Sequence, residues 1–478
     1  METPRDIYSS PFVTRWAGRP MQENWSDLTK YRTWRRLWIA LAEAQRELGL
    51  EITDEQIREL KAHADEIDFE RVAEHERETR HEVTAHIRTY GELCPKARPI
   101  IHLGATSAFV GDNTYLVQMR GGLHLLLGPV SRACRNLVEL AREHAETPCL
   151  AYTHLQPAQV TTLGKRACLW LHDLLGALEG LRSLAEDMPF RSAKGTTGTQ
   201  ASFLSLFDGD HDKVRRLEEL VARKMGFSRV VPVTGQTYPR MLDYRVLTTL
   251  GELAIACSKL GTDLRLLAGF KEMEEPFGKS QVGSSAMAYK RNPMRCERMV
   301  ALSRFLINDV QNAAFTAADQ WLERTLDDSA IRRLSLAEGF LAADSIARVA
   351  ANVTAGLVVN GQVIDRRLRA ELPFMATETI LMAAVQAGGD RQDLHERIRQ
   401  HSVAAAERVK QGDGHNDLIE RIREDQEFAA VRDELDALVE PAAFVGRAPQ
   451  QAVQYLEQVA EPTLSHYPEE AGEEHLRV

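Results

Sequence analysis

The chain has 478 residues, 44% hydrophobic and 27% charged, with a formal net charge of -10. That supports a large core and several domains, and it excludes wholesale disorder. The acidic balance also argues against a nucleic-acid partner, so any anionic ligand must be held by a local cluster of Arg and Lys.

The opening METPRDIYSSPF lacks the apolar run of a secretory signal, and no stretch approaches the roughly 18 apolar residues of a membrane span. Tyr31, Trp34, Trp38, Leu41, Gln45 and Leu48 fall at helical spacing on one face, which stops near Gly49. From Asp112 to Glu146, Leu116, Met119, Leu123, Leu126 and Leu127 carry one long helix, despite Gly121 and Gly122. Comparable runs follow at 158–187, 238–272, 293–320 and 333–356, and Val230–Val233 is the best strand candidate. The six Cys, at 94, 134, 149, 168, 257 and 296, form no CxxC pair. This points to a reduced cytoplasmic protein with neither a disulfide framework nor a zinc site.

These runs, joined by Gly/Ser/Thr/Pro-containing loops, predict an all-α chain with a central up-and-down bundle. The expected domains are an N-terminal helical domain at 1–108, the long-helix bundle at 109–360 and a C-terminal helical domain at 361–478. A helix of about 35 residues is roughly 50 Å long, so consecutive loops alternate between distant ends. Thr106, Ser107, the 188–236 connection, Arg324 and Ser329 fall at one end, and His154 and Gly283–Asn292 at the other. If both sets serve one small substrate, subunits packed antiparallel must share the site.

Four stretches carry candidate chemistry. Gly283–Asn292, GSSAMAYKRN, joins two helices, and Lys290, Arg291 and Arg295 load positive charge where the second begins. That opposes the helix dipole unless an anion lies nearby. His154 stands in THLQPAQ, just before the 158–187 run. HLGATSAFVGDN precedes the long helix, where Thr106, Ser107 and Asp112 could cap or could bind a carboxylate. Glu323–Arg333, ERTLDDSAIRR, combines Arg324, Ser329 and Arg333. Two motif readings fail. His81, Glu82 and His86 resemble HExxH, but histidines five apart stand about 140° around a helix and cannot share a metal. Lys194–Gln200 is Gly-rich yet lacks the ending of a phosphate-binding P-loop.

The decapeptide is similar to the GSSxMPxKxN signature of the fumarase/aspartase superfamily. Tyr289, Arg291, Asn292 and Pro293 resemble its adenylosuccinate lyase branch. THLQPAQ, GATSAFVGDN, Arg80-His81-Glu82-Val83 and ERTLDDSAIRR resemble further signatures of that family, and the likeness covers nearly the whole chain. Ala288 replaces the family's usual Pro, which frees the open loop. Trp16 replaces an expected Tyr, keeping a ring for stacking but losing its hydroxyl.

The resemblance implies a fumarase/aspartase-like three-domain fold and β-elimination of fumarate from succinyl-purine nucleotides. Those substrates are adenylosuccinate, giving AMP, and the succinyl carboxamide ribotide (SAICAR), giving AICAR. It implies Ser284 as base, His154 as acid and Lys290 as stabiliser of the carboxylate intermediate. Substrate would be bound by Arg15, Trp16, Arg80, His81, Glu82, Thr106, Ser107, Gln236, Asn292, Arg298, Arg324, Ser329 and Arg333. It further implies a homotetramer with shared active sites, and no metal, cofactor, nucleic acid or membrane. Two alternatives stay open: another superfamily lyase, such as argininosuccinate lyase, or a catalytically silent helical scaffold. The first lacks support at 106–113, where a Ser-Arg-Asn-Asp type sequence would be expected. Only Ala288 and Trp16 hint at the second.

Overall fold

The computed structural model describes residues 6–278, 281–283, 286–287, 289–412, 414–468 and 476. The N-terminal region contributes α1 (Asp27–Glu47), α2 (Phe69–Thr79) and α3 (Glu82–Leu93). Ser26 caps α1 by accepting the Thr29 N–H, and Trp34, Leu37, Trp38 and Leu41 are buried along the face marked by apolar spacing. Gly49, at φ +97°, ends that run.

The centre is five long helices: α4 (Ser107–Glu143), α5 (Leu163–Asp187), α6 (Met241–Gly269), α7 (Met294–Ala318) and α8 (Asp328–Thr354). Their apolar stripes form one continuous core with Trp34, Trp38 and Phe109 of the N-terminal half. α4 runs through Pro129, in a stretch whose apolar spacing suggests an uninterrupted, Pro-free helix. Its flanks, Leu126, Pro129 and Val130, are all buried, so packing outweighs the hydrogen bond that the ring removes. The 37 residues of α4 give a rod of roughly 55 Å.

One element departs from expectation. Residues 158–162 are strand rather than helix: β1 (Pro148–Thr153) pairs antiparallel with β2 (Gln156–Thr162), and α5 starts only at Leu163. The expected strand at Val230–Val233 reduces to a single bridge between Val230 and Phe190. A two-residue pairing follows, between β3 (Met273–Glu274) and β4 (Val358–Val359).

Beyond these, α9 (Gly361–Met375) leads into a 21-residue helix at Arg391–Gln411 and shorter ones, with a separate cluster around Ile380, Leu394, Ile398, Leu418, Phe428 and Leu435. The chain then returns: Ala452 and Leu456, from α10 (Ala448–Tyr455) and the turn after it, and Leu464 all join the main core. Among the described residues no helix is long and apolar enough to cross a membrane.

Candidate active site

At the end where α4 begins, a cavity of about 790 Å³ opens between α1, the α2–α3 corner and the start of α8. The corner is made locally. Arg80, at φ 51°, terminates α2 in the left-handed region, and His81 caps α3 through its Nδ1, 3.2 Å from the Thr84 N–H. A left-handed non-glycine residue is strained, as positions that serve ligands often are. Ser107 Oγ stands 3.3 Å from His81 Nε2. Thr106 occupies the N-cap position of α4, yet its hydroxyl makes no capping bond. The cavity therefore combines a helix start with the side chains of Arg324, Ser329 and Arg333.

Glu82 is the negative group on this wall. It accepts from Lys30 Nζ at 2.6 Å, from the Tyr31 hydroxyl at 2.8 Å and from Arg333 at 3.0 Å. Burial pushes its carboxyl up, but Lys30, with Tyr31 and Arg333, outweighs that and holds it at about 2. His86, beneath it, is stacked on Tyr31 with ring centroids 3.9 Å apart. Burial, with Arg35 close by, lowers its pKa to about 3, so it is a neutral core histidine. Among the described residues no group of three or more His, Cys, Asp or Glu could hold a metal ion.

Under the cavity lies an ion network that motif reading missed. Arg240 joins Asp112 at 3.1 Å and Asp328 at 2.6 Å, while Arg332 joins Asp243 at 2.6 Å. Tyr238 ties the halves together: its N–H reaches Asp112 at 3.0 Å and its hydroxyl Asp243 at 2.5 Å. Asp112 was expected as a helix cap; it is a buried ion-pair partner within α4. Burial alone would raise its carboxyl, but Arg240, Arg332 and Arg191 bring it below the usual range. Arg324 Nη2 is 3.7 Å from Asp328, which steers the guanidinium while leaving it partly exposed. Gln236 is fixed beside it, its N–H bonded to the Glu323 carbonyl at 3.0 Å.

The other end is assembled differently. β1 and β2 meet through the two-residue turn His154-Leu155, with φ of 54° and 56°. Such hairpin turns normally use Asn-Gly, so this pair stores strain and presents His154 to solvent. Ser284, Ser285 and Ala288 lie outside the described residues. Around them, Asn292 Nδ2 donates to the Gly283 carbonyl at 2.8 Å, and a side chain at Gly283 would strike the Lys290 carbonyl. Arg295 donates to the Pro276 carbonyl at 2.9 Å and to Gln281 at 3.1 Å. The anion required at the start of α7 is the protein's own: Glu275 accepts the N–H groups of Arg295 and Cys296 at 3.1 and 2.9 Å. Arg298, on the next turn, loses some basicity to burial and to the neighbouring cations Arg295 and Arg15. Trp16, beside Arg15, holds Arg348 through its carbonyl at 3.2 Å.

The chain thus brings Arg80, His81, Glu82, Ser107, Arg324, Ser329 and Arg333 to one cavity, while Thr106 and Gln236 do not line it but stand next to lining residues, Thr106 before Ser107 and Gln236 bonded to Glu323 beside Arg324. Arg15, Trp16, His154, Lys290, Asn292 and Arg298 do not line it. Between Asn292 and the Arg324 loop stand the 25 residues of α7, roughly 37 Å of helix. Lys30 was not foreseen, although a Lys one turn before Trp34 on an otherwise apolar face was a usable signal.

A family model described as Lyase matches residues 18–305, and one described as Adenylosuccinate lyase C-terminus matches 373–455. A protein named adenylosuccinate lyase from Saccharomyces cerevisiae is 48% identical over 99% of both chains. Those so named from Schizosaccharomyces pombe and Schistosoma mansoni are 48% and 46% identical, each over 96% of both chains. Among solved structures, 3-carboxy-cis,cis-muconate lactonizing enzyme from Pseudomonas putida superposes with a TM-score of 0.82 at 22% identity, over 95% of this chain and 99% of that one. Fumarate lyase from Mesorhizobium sp. BNC1 gives 0.79 at 23%, over 95% and 100%. At such identities these two speak for the fold alone.

Proposed function

The chain belongs to the adenylosuccinate lyase family, and from that premise we propose that its active site is shared between antiparallel subunits of a homotetramer. It is a fumarate-releasing carbon–nitrogen lyase that acts on adenylosuccinate. SAICAR is the second substrate in our reading, and the cytoplasm the compartment. We also read the chain as three domains, 1–108, 109–360 and 361–478.

One observation carries the shared site: the nucleotide cavity and the His154–Lys290 end are separated by the length of α7. In the reaction, Ser284 takes the proton from the succinyl carbon next to the scissile C–N bond. Lys290 and Asn292 stabilise the resulting doubly charged carboxylate form. The C–N bond then breaks, His154 protonates the departing amine nitrogen, and AMP and fumarate leave. A serine hydroxyl is a poor base until its alkoxide is stabilised, which loop N–H groups and Lys290 would do once closure excludes water. Arg80, His81, Arg324, Ser329 and Arg333 hold the 5′-phosphate, for which the bidentate guanidinium is suited. Thr106, Ser107 and Gln236 meet the succinyl group, and Glu82 the ribose. Trp16 stacks on the base, while Arg15 and Arg298 supply charge from the loop end.

Fumarate release from adenylosuccinate, followed by absorbance, tests the whole reading. Ser284→Ala and His154→Ala proteins should each be inactive and should regain activity on subunit exchange, since a mixed site can hold both intact residues. No recovery would sink the shared site, provided that Ser284 and His154 reach it from different chains, and full turnover by Ser284→Ala would sink the base.

A further inference from the structure

Glu272 is a carboxylate in the wrong place for an ordinary ion pair. It is 1% exposed, its Oε2 has no hydrogen-bond partner among the described residues, and only its Oε1 is engaged. That oxygen accepts Arg367 Nε at 2.8 Å and faces the Tyr152 hydroxyl at 3.4 Å, while Arg367 Nη2 also reaches the Tyr152 oxygen at 3.1 Å. The Arg367 guanidinium lies 4.5 Å from the centre of the Phe270 ring, which in turn packs on Tyr152 at 5.4 Å. Desolvating a buried carboxylate costs several kcal/mol, and its ion pair to the partly exposed Arg367 gives no full account of its presence.

Its connections give one. Tyr152 lies in β1, two residues before His154. Glu272 immediately precedes β3 and stands three residues before Glu275, which caps α7 and so ends the stem of the Gly283–Asn292 loop. Arg367 belongs to α9, whose Leu368 and Leu372 bury Leu150 and Val160 of the hairpin. The backbone is pinned as well: the Glu272 carbonyl accepts the Asn360 N–H at 2.9 Å, and Asn360 Nδ2 donates to the Lys271 carbonyl at 2.9 Å. Three segments far apart in sequence thus meet on one carboxylate oxygen.

We propose that Tyr152, Glu272 and Arg367 are positioning residues that lock the hairpin bearing His154 to the stem of the signature loop. The C-terminal segment thereby sets where the proton donor points, in whichever subunit's site it serves. The strained His154-Leu155 turn needs such a restraint, because its backbone does not favour the conformation by itself. This rests on His154 being the acid.

The test uses the assembled full-length enzyme. Glu272→Gln and Arg367→Met should each lower kcat about ten-fold or more with KM within about two-fold, because proton delivery is lost and nucleotide binding is not. Tyr152→Phe should lose less, and Arg367→Lys should recover part of the Arg367→Met loss. Introduced into His154→Ala protein, the same substitutions should change its trace residual turnover, read at high enzyme concentration in single-turnover assays, by less than about two-fold, since the donor they position is gone. Unchanged kcat with a lowered melting temperature would mean a purely structural staple and overturn the proposal. So would undiminished losses in the His154→Ala background. Full turnover by His154→Ala alone would instead overturn the acid assignment, an outcome distinct from an impaired His154→Ala beside triad variants of normal kcat.

Discussion

Where α4 begins, charges are buried and matched: Asp112, Arg240, Asp243, Asp328 and Arg332 are all under 5% exposed and joined through Tyr238. At the opposite end His154, Lys290 and Arg291 face solvent, and Asn292 donates to the Gly283 carbonyl. The first end has already met the cost of ordering its charges before any ligand arrives. The second leaves its reactive groups in water, where a general acid or an alkoxide gains little from its neighbours. Binding is pre-organised in this chain, and reactivity waits for a cover.

Substitutions should separate the two ends cleanly. Lys290→Met should cut kcat by about 10² to 10⁴-fold while leaving the melting temperature nearly unchanged. A comparable drop in melting temperature would break the contrast. Arg332→Met should leave Asp243 and Asp112 short of a buried partner and cost about 3–5 kcal/mol in denaturant unfolding. A loss under about 1 kcal/mol would mean that the network is not what stiffens the cavity.

Asp309, on the length of α7 between the ends, sharpens the point because it is buried with no cation beside it among the described residues. Burial, with Glu338 nearby and Asn312 partly opposing, raises its carboxyl to about 6. The native state therefore holds this proton more tightly than the unfolded chain. The associated stability is complete below the unfolded value of about 3.9 and is lost as pH rises through about 6. Asp309→Asn should accordingly stabilise by about 2 kcal/mol at pH 8 and by almost nothing at pH 4, measured as unfolding free energy. The smallest effect is at the turn: Leu155→Gly should relieve left-handed strain and gain about 0.5 kcal/mol, yet lower kcat because the histidine beside it becomes less confined. A variant both more stable and more active would show that the strain has no use.

Much of this was legible beforehand because long apolar stripes admit one reading. Leu116, Met119, Leu123 and Leu126 mark α4, and alternating loops follow from its length. The hairpin escaped because His154-Leu155 carries none of the usual turn residues and Pro157 interrupts β2. The ion network escaped for a different reason. Asp112, Arg240 and Asp328 are more than 85 positions apart at every step, and each looks locally like a cap or a solvated charge. A usable sign was their setting: Asp112 follows Phe109 and Val110, and Asp243 follows Leu242, so each lies on a face that should be apolar. The site residues were found through short signatures. Spacing could place them at opposite ends, but it could not show that Glu82 is held by Lys30 and Tyr31 from another helix.

The return of the chain after its separate C-terminal cluster bears on biogenesis. Arg135 of α4 binds the carbonyls of Leu464 and Tyr467 at 3.0 and 2.6 Å, and Ala452, Leu456 and Leu464 fill the main core. Translation proceeds from the other terminus, so α4 and α5 leave the ribosome hundreds of residues before their covering segment exists. Until residue 467 emerges, a strip of those helices stays bare in the nascent chain, and some other surface must shield it.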